Sequence, residues 1–275
     1  GFARETLVPS ATYVLSFYAN YFGRDESGKF QFDPLNSGET WVKVKNPAPD
    51  VAALHVILEG LLSLPRGLAT DAQRKVWEDM QKALPPIPLG DKEGEAVILA
   101  AEDLKGEQKR NFENPELYTV FPFVNYGVGK PGHDVAKNTF KRRLHQGPLG
   151  GGWNPDPVVE ARLGETTMAR DAVIFMSGRK DKGCRFPAMW MDHQDYVPNF
   201  CHGGVLESTL QSMLLQTDGK RLLLLPAWPE EWNVEFRLHA PGRTIVTAAV
   251  ENGKVTASEV SPSARTSDLQ FPSSR

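Results

Sequence analysis

The chain has 275 residues, 40% of them hydrophobic and 24% charged, the balance of an ordinary globular protein with room for one large domain or two smaller ones. A net charge of -3 and a pI near 6.1 exclude a nucleic-acid binder driven by phosphate neutralisation. No apolar run is long enough to cross a bilayer, and two cysteines, Cys184 and Cys201, are too few for a disulfide scaffold, although they could pair.

Leu7, Ala11, Val14, Leu15, Tyr18 and Phe22 recur at helical spacing from almost the first residue, which predicts a helix and a piece of a longer protein. Phe30 to Val44 reads as irregular or extended chain. Asn46-Pro47-Ala48-Pro49-Asp50 signals a helix start, because proline is tolerated in the first turn. The apolar helix that follows carries Val51, Leu54, Ile57, Leu58, Leu61 and Leu62. Thr70 with Gln73 forms a capping-box pair for a helix through Val76, Trp77, Met80 and Leu84, which Pro85-Pro86 ends.

Ala96 to Ala100 reads as a short strand, 111–132 as an aromatic loop, and Asp134 to Leu144 as a helix. Gly147 to Gly152 lacks the context of a phosphate loop and reads as a linker. Helices are expected over Trp153 to Leu163 and Thr166 to Ser177, hinged at Gly164 as an αα-hairpin. Between Asp192 and Gln216, a polar segment with Asp192, His193, Asp195 and Tyr196 leads through Gly203-Gly204, expected as a sharp turn, into a helix. Val205, Leu206, Thr209, Leu210, Met213 and Leu214 form its buried face. Beyond Arg221 the pattern turns to strands at 222–225, 234–238, 244–250 and 254–260, with Asn252-Gly253 as a two-residue hairpin turn. Residues 261–275 are Ser- and Pro-rich and read as a flexible tail.

Several strings are familiar in combination: LNSGETW (35–41), VKNPAPDVAALHVILEGLL (44–62), ENPELYTVFPFVNYGVGKPG (113–132), GGWNPDPVVEARLGE (151–165), HGGVLESTLQSMLLQ (202–216) and LLLLPAWPEEWNVEFRLHAPGRTIV (222–246). In this order they resemble the C-terminal half of fucosidase-type (α/α)6-barrel glycoside hydrolases, close to glycoside hydrolase family 95. The resemblance implies a mainly α fold, a partial toroid of antiparallel helix pairs followed by a small antiparallel β unit. It places the barrel portion at 1–221, the β domain at 222–260 and the tail at 261–275. It implies further that the N-terminal part of the barrel, with the family's water-positioning asparagines, is missing. An extracytoplasmic location follows from the family's habit alone.

The implied activity is inverting, exo-acting hydrolysis of a terminal α-L-fucosyl-like or galactosyl residue of an oligo- or polysaccharide, with no cofactor and no metal. Such a reaction needs two carboxyl groups with a water between them, one kept protonated by its surroundings. Glu39, within SGETW, resembles the family's acid. The family's base position falls on Cys201 when the chains are aligned at MLLQ, so the base side passes to Asp195 or Asp192, with His202 as a proton acceptor or donor. Trp41, Glu116, Tyr118, Asn125, Trp153, Asn154, Trp190 and His193 are the expected sugar-binding residues, aromatics stacking on sugar faces and polar groups binding hydroxyls. Three rival readings stand beside this one. The first is a catalytically impaired carbohydrate-binding or structural toroid, and the second a polysaccharide lyase with a Tyr or His base. The third, a zinc site from His133, His145, His193 and His202 with the cysteines, lacks any recognised ligand spacing.

Overall fold

A computed structural model describes residues 1–144, 146, 154–178 and 200–272. They fall into two compact units, one within residues 1–126 and 134–144, the other within residues 127–133, 146, 154–178 and 200–272.

The first unit begins with a short π-helical turn, Ala3–Leu7, that runs into α1 (Val8–Tyr21). Two short strands follow, β1 (Gly23–Arg24) and β2 (Phe30–Gln31), then the hairpin of β3 (Leu35–Ser37) and β4 (Trp41–Pro47). Pro47 caps α2 (Ala48–Ser63), with Ala48 and Pro49 filling its first turn; proline fits there because the N–H it lacks would have no helical partner. α3 (Asp71–Ala83) opens on the expected capping box, with Thr70 Oγ1 accepting from Gln73 N–H at 3.1 Å and Gln73 Oε1 accepting from Thr70 N–H at 2.8 Å. Thr70→Ala removes one of these bonds and is expected to cost about 1 kcal/mol, measured by denaturant unfolding.

The apolar faces of these helices meet in one core with Leu15, Phe22, Phe30, Phe32, Leu54, Leu58, Trp77 and Met80. The stripe of α1 lies differently from its sequence reading. Val8, Leu15 and Phe22 point inward, whereas Leu7 and Val14 are 40% and 46% exposed, because a 3.6-residue turn carries positions 7 and 14 well round from the line of 8, 15 and 22.

Tyr18 on α1 donates a 2.6 Å hydrogen bond to Asp50 Oδ1 in the first turn of α2. Burial raises the Asp50 carboxyl above its ordinary value of 3.8, more than the Tyr18 bond and its own backbone N–H lower it. A carboxyl raised on folding favours the protonated native state, so its contribution is complete below pH 3.8 and is lost as pH rises through the folded value. Melting temperatures measured from about pH 4 to pH 7 should therefore fall less steeply with pH in Asp50→Asn than in the parent, since the amide still accepts from Tyr18 but cannot ionise.

After α3 the chain leaves the helical pattern. β5 (Leu89–Lys92) and β6 (Glu95–Ile98) make an antiparallel hairpin, and β7 (Ala101–Asp103) pairs with β4. A 3-10 turn over Pro115–Thr119 and α4 (His133–Lys141) follow. Ile98 N–H donates to Thr139 Oγ1 of α4 at 2.8 Å.

In the second unit α5 (Asp156–Arg162) and α6 (Thr166–Gly178) form the predicted hairpin at Gly164, whose φ of +75° suits glycine. α7 (Phe200–Leu214) packs against both. It begins before Gly203 and Gly204, which are helical rather than a turn; burial of Thr209, Met213 and Leu214 outweighs the ~1 kcal/mol per residue that glycine costs a helix. β8 (Leu215–Asp218) and β9 (Arg221–Leu224) form a hairpin. β10 (Val234–Ala240), β11 (Thr244–Glu251) and β12 (Lys254–Ser261) form an antiparallel meander, with Asn252 and Gly253 both at positive φ in the β11–β12 turn. Residues 263–268, read as part of a tail, make a 3-10 turn, and β13 (Leu269–Gln270) pairs parallel with β9. Backbone pairing holds them despite their low apolar content. Although the sequence places a boundary after residue 221, the strands beyond it share one core with the helices before it: Ala161, Val173, Met213, Leu222, Leu224, Trp228, Phe236 and Val246 cluster together.

The expected mainly α toroid is therefore corrected. Among the described residues 43% are helical and 24% are strand, with five small sheets distributed along the chain. The helix pairs are not consecutive: hairpins and loops fill the chain from Leu84 to Gly132, where prolines 85, 86 and 88 and the Asp91–Gly94 turn prevent helical propagation. Among the described residues no helix is long and apolar enough to cross a membrane.

Candidate functional site

The β3–β4 hairpin carries Glu39 at its tip. Leu35 pairs with Val44 and Ser37 with Trp41, and Ser37 Oγ anchors the hairpin by donating to Ala100 O at 2.7 Å. Gly38 turns the chain at φ +59°, and a Cβ there would sit 2.8 Å from Glu113 Oε2. The positive φ favours glycine, and a larger side chain would displace the Glu113 carboxyl. Thr40 beside it is fully buried, and its carbonyl accepts from Arg110 N–H at 2.9 Å.

Three donors converge on Glu113. Its Oε2 accepts from Glu39 N–H at 3.3 Å and from Thr40 Oγ1 at 3.3 Å. Its Oε1 accepts from the Tyr118 hydroxyl at 3.2 Å. Asn111 Nδ2 donates to Glu39 Oε2 at 3.2 Å. Two carboxylates, an amide and a phenol thus form one polar cluster, with the Glu39 side chain exposed. Burial pushes the Tyr118 hydroxyl up to about 12, helped by the charge and hydrogen bond of Glu113 and the charge of Glu39. A phenol is already neutral near pH 7, and this shift holds Tyr118 further in its donor form.

The other predicted residues of this unit lie in distinct settings. Trp41 is 7% exposed and packs with Val44 and Ala101, so its ring belongs to a small core and offers little face for stacking. Glu116 is buried on the 3-10 turn that carries Tyr118. Asn125 is half-buried; its Nδ2 donates to Ala52 O at 3.4 Å and its Oδ1 is buried without a hydrogen-bond partner.

In the second unit Asn154 Oδ1 accepts from Asp156 N–H at 3.0 Å at the start of α5, the work of a helix-entry turn. His202 is fully buried on α7, its Nε2 3.5 Å from Met176 O. Cys201 is exposed. Trp153, Cys184, Trp190, Asp192, His193 and Asp195, and the Gly147 to Gly152 linker, lie outside the described residues. Among the described residues no group of three His, Cys, Asp or Glu side chains is placed to hold a metal ion.

Of the residues picked from sequence, the structure brings Glu39 and Tyr118 to one cluster. Sequence reasoning missed Glu113 and Asn111, which complete it. Both stand in the NFENPE segment, where polarity and Asn-Pro signal a loop, but nothing local announces a contact with residues more than 70 positions earlier.

No protein-family model matches the sequence, and no curated protein aligns with it significantly.

Proposed function

We propose that the chain is a glycoside hydrolase acting on a terminal α-L-fucosyl-like or galactosyl residue, with Glu39 as general acid. The observation that carries this reading is the solvent-facing Glu39 carboxyl on a hairpin tip tied to Glu113. A general acid has to reach the leaving oxygen from a fixed position. Glu113 acts as a positioning residue: its oxygens already receive Glu39 N–H, Thr40 and Tyr118, which leaves it poorly disposed to activate water. The base is assigned to Asp195 or Asp192.

The test is incubation with 4-nitrophenyl α-L-fucoside, 4-nitrophenyl galactosides and fucosylated oligosaccharides, reading released sugar. Free monosaccharide supports the hydrolase, and loss of activity in Asp195→Asn or Asp192→Asn assigns the base. An unsaturated, ultraviolet-absorbing product identifies a lyase, and sugar retention without turnover identifies a binding protein; either result overturns the proposal.

A further inference from the structure

The side-chain amide of Asn111 has one orientation open to it. Its Oδ1 accepts from the Phe112 N–H at 2.7 Å, and its Nδ2 donates to Glu39 Oε2 at 3.2 Å. The Phe112 N–H can only donate and an ionised Glu39 oxygen can only accept. Exchanging the amide oxygen and nitrogen would therefore set donor against donor and acceptor against acceptor. The backbone around it is fixed as well. Arg110 N–H donates to Thr40 O at 2.9 Å, and Glu113 Oε2 accepts from Glu39 N–H and Thr40 Oγ1. Residues 110–113 are thus tied to the hairpin tip on both sides of Asn111, with its Nδ2 on one oxygen of Glu39.

We propose that Asn111 is a positioning residue for the acid: it occupies Oε2 and so assigns the transferable proton to Oε1. The inference rests on the hydrolase reading of Glu39 and adds which oxygen delivers the proton. The carbonyl oxygen of a carboxylic acid accepts a hydrogen bond better than its hydroxyl oxygen does. When Glu39 is protonated, the Asn111 bond therefore keeps Oε2 as the carbonyl and puts the O–H on Oε1.

In the reaction, that O–H protonates the glycosidic oxygen as the anomeric C–O bond breaks and its electron pair passes to that oxygen. Water adds to the anomeric carbon and gives its proton to the carboxylate on the base side. Glu39 is left ionised, and a hydrogen bond to a charged acceptor is shorter and about twice as strong as one to a neutral acceptor. The Asn111 bond tightens as this charge develops. An interaction stronger in the transition state than in the ground state raises kcat.

Two measurements on the full chain test it. Asn111→Leu keeps the size of the side chain and loses the donor. Its kcat on a fucosyl or galactosyl oligosaccharide should fall by about tenfold or more, within the ~10²–10⁴ that general acid catalysis supplies, with KM nearly constant. On the matching dinitrophenyl glycoside, whose leaving group departs with little protonation, the loss should be much smaller. Equal losses on the two substrates mark a merely structural role; that result, or no loss on either, overturns the proposal and leaves the hydrolase reading standing. A parent that cleaves no glycoside overturns the hydrolase reading and this proposal with it. Side-chain amide NMR spectra need neither substrate nor a change at Asn111. Its NH2 resonances should move as Glu39 is titrated, and move much less in Glu39→Gln, which keeps the acceptor but not the charge. Equal movement in the two proteins overturns the contact and the proposal.

Discussion

Glu39→Gln should lower turnover of a glycoside with a poor leaving group by a factor of about 10² to 10⁴, the range of general acid catalysis. The melting temperature should hardly change. Glu39 is exposed at the hairpin tip, and the amide of Gln still offers an oxygen to Asn111 Nδ2, so the substitution removes the carboxyl that the proposed role needs while leaving the local fold. Aryl substrates with good leaving groups, which depart with little protonation, should lose much less. An undiminished rate on the poor-leaving-group substrate removes Glu39 from the role. Glu113→Gln supplies a control on positioning. Its NH2 group must face at least one of the three donors that Glu113 now receives, so the tip loosens and turnover falls by a smaller factor. If Glu113 acts through Glu39, the double variant should be no slower than Glu39→Gln alone, a non-additivity that two independent catalytic groups do not show.

The largest loss of stability is expected at Trp77. Its indole is 1% exposed and packs in the core shared by α1, α2 and α3 with Leu54, Leu58 and Phe30. Trp77→Ala removes the apolar contacts and leaves a cavity that rigid helices fill only in part. A cost of about 3–5 kcal/mol follows, lowering the melting temperature by roughly 10 °C or more. Glu78→Ala, one position along on the exposed side of the same helix, should stay within about 0.5 kcal/mol. Calorimetry of the two variants checks the pair, and equal losses would place the core elsewhere.

Much of the local structure was legible in the residues. Thr70 and Gln73 announced the start of α3, Pro47 and Pro49 that of α2, Gly164 the α5–α6 junction and Asn252-Gly253 the last hairpin, since caps and turns are decided by hydrogen bonds and φ preferences within a few residues. The β5–β6 hairpin was half read: the apolar Ala96 to Ala100 pointed to a strand, but its partner, Leu89–Lys92, is polar and Gly-containing and gives no period-two signal. The toroid was misjudged for a related reason. Helical stripes announce that a face will be buried, but not against what, and Leu84 to Gly132 inserts hairpins and loops where a ring of helices needs another pair.

The candidate site divides in the same way. Glu39 stood out by its SGETW setting, whereas its hold on Glu113 depends on 74 residues of intervening chain and was invisible beforehand. By itself the sequence determined the starts of α2 and α3, the turns at Gly164 and Asn252-Gly253, most of the apolar faces and a glutamate next to a turn glycine, because those follow from short-range sterics and hydrogen bonding. Only the tertiary structure decided that Trp41 is core, that burial and Glu113 raise the Tyr118 hydroxyl above its ordinary range and that Glu113 clamps the Glu39 hairpin. Burial and charge proximity are properties of residues brought together from far apart in the chain, and no local pattern encodes them.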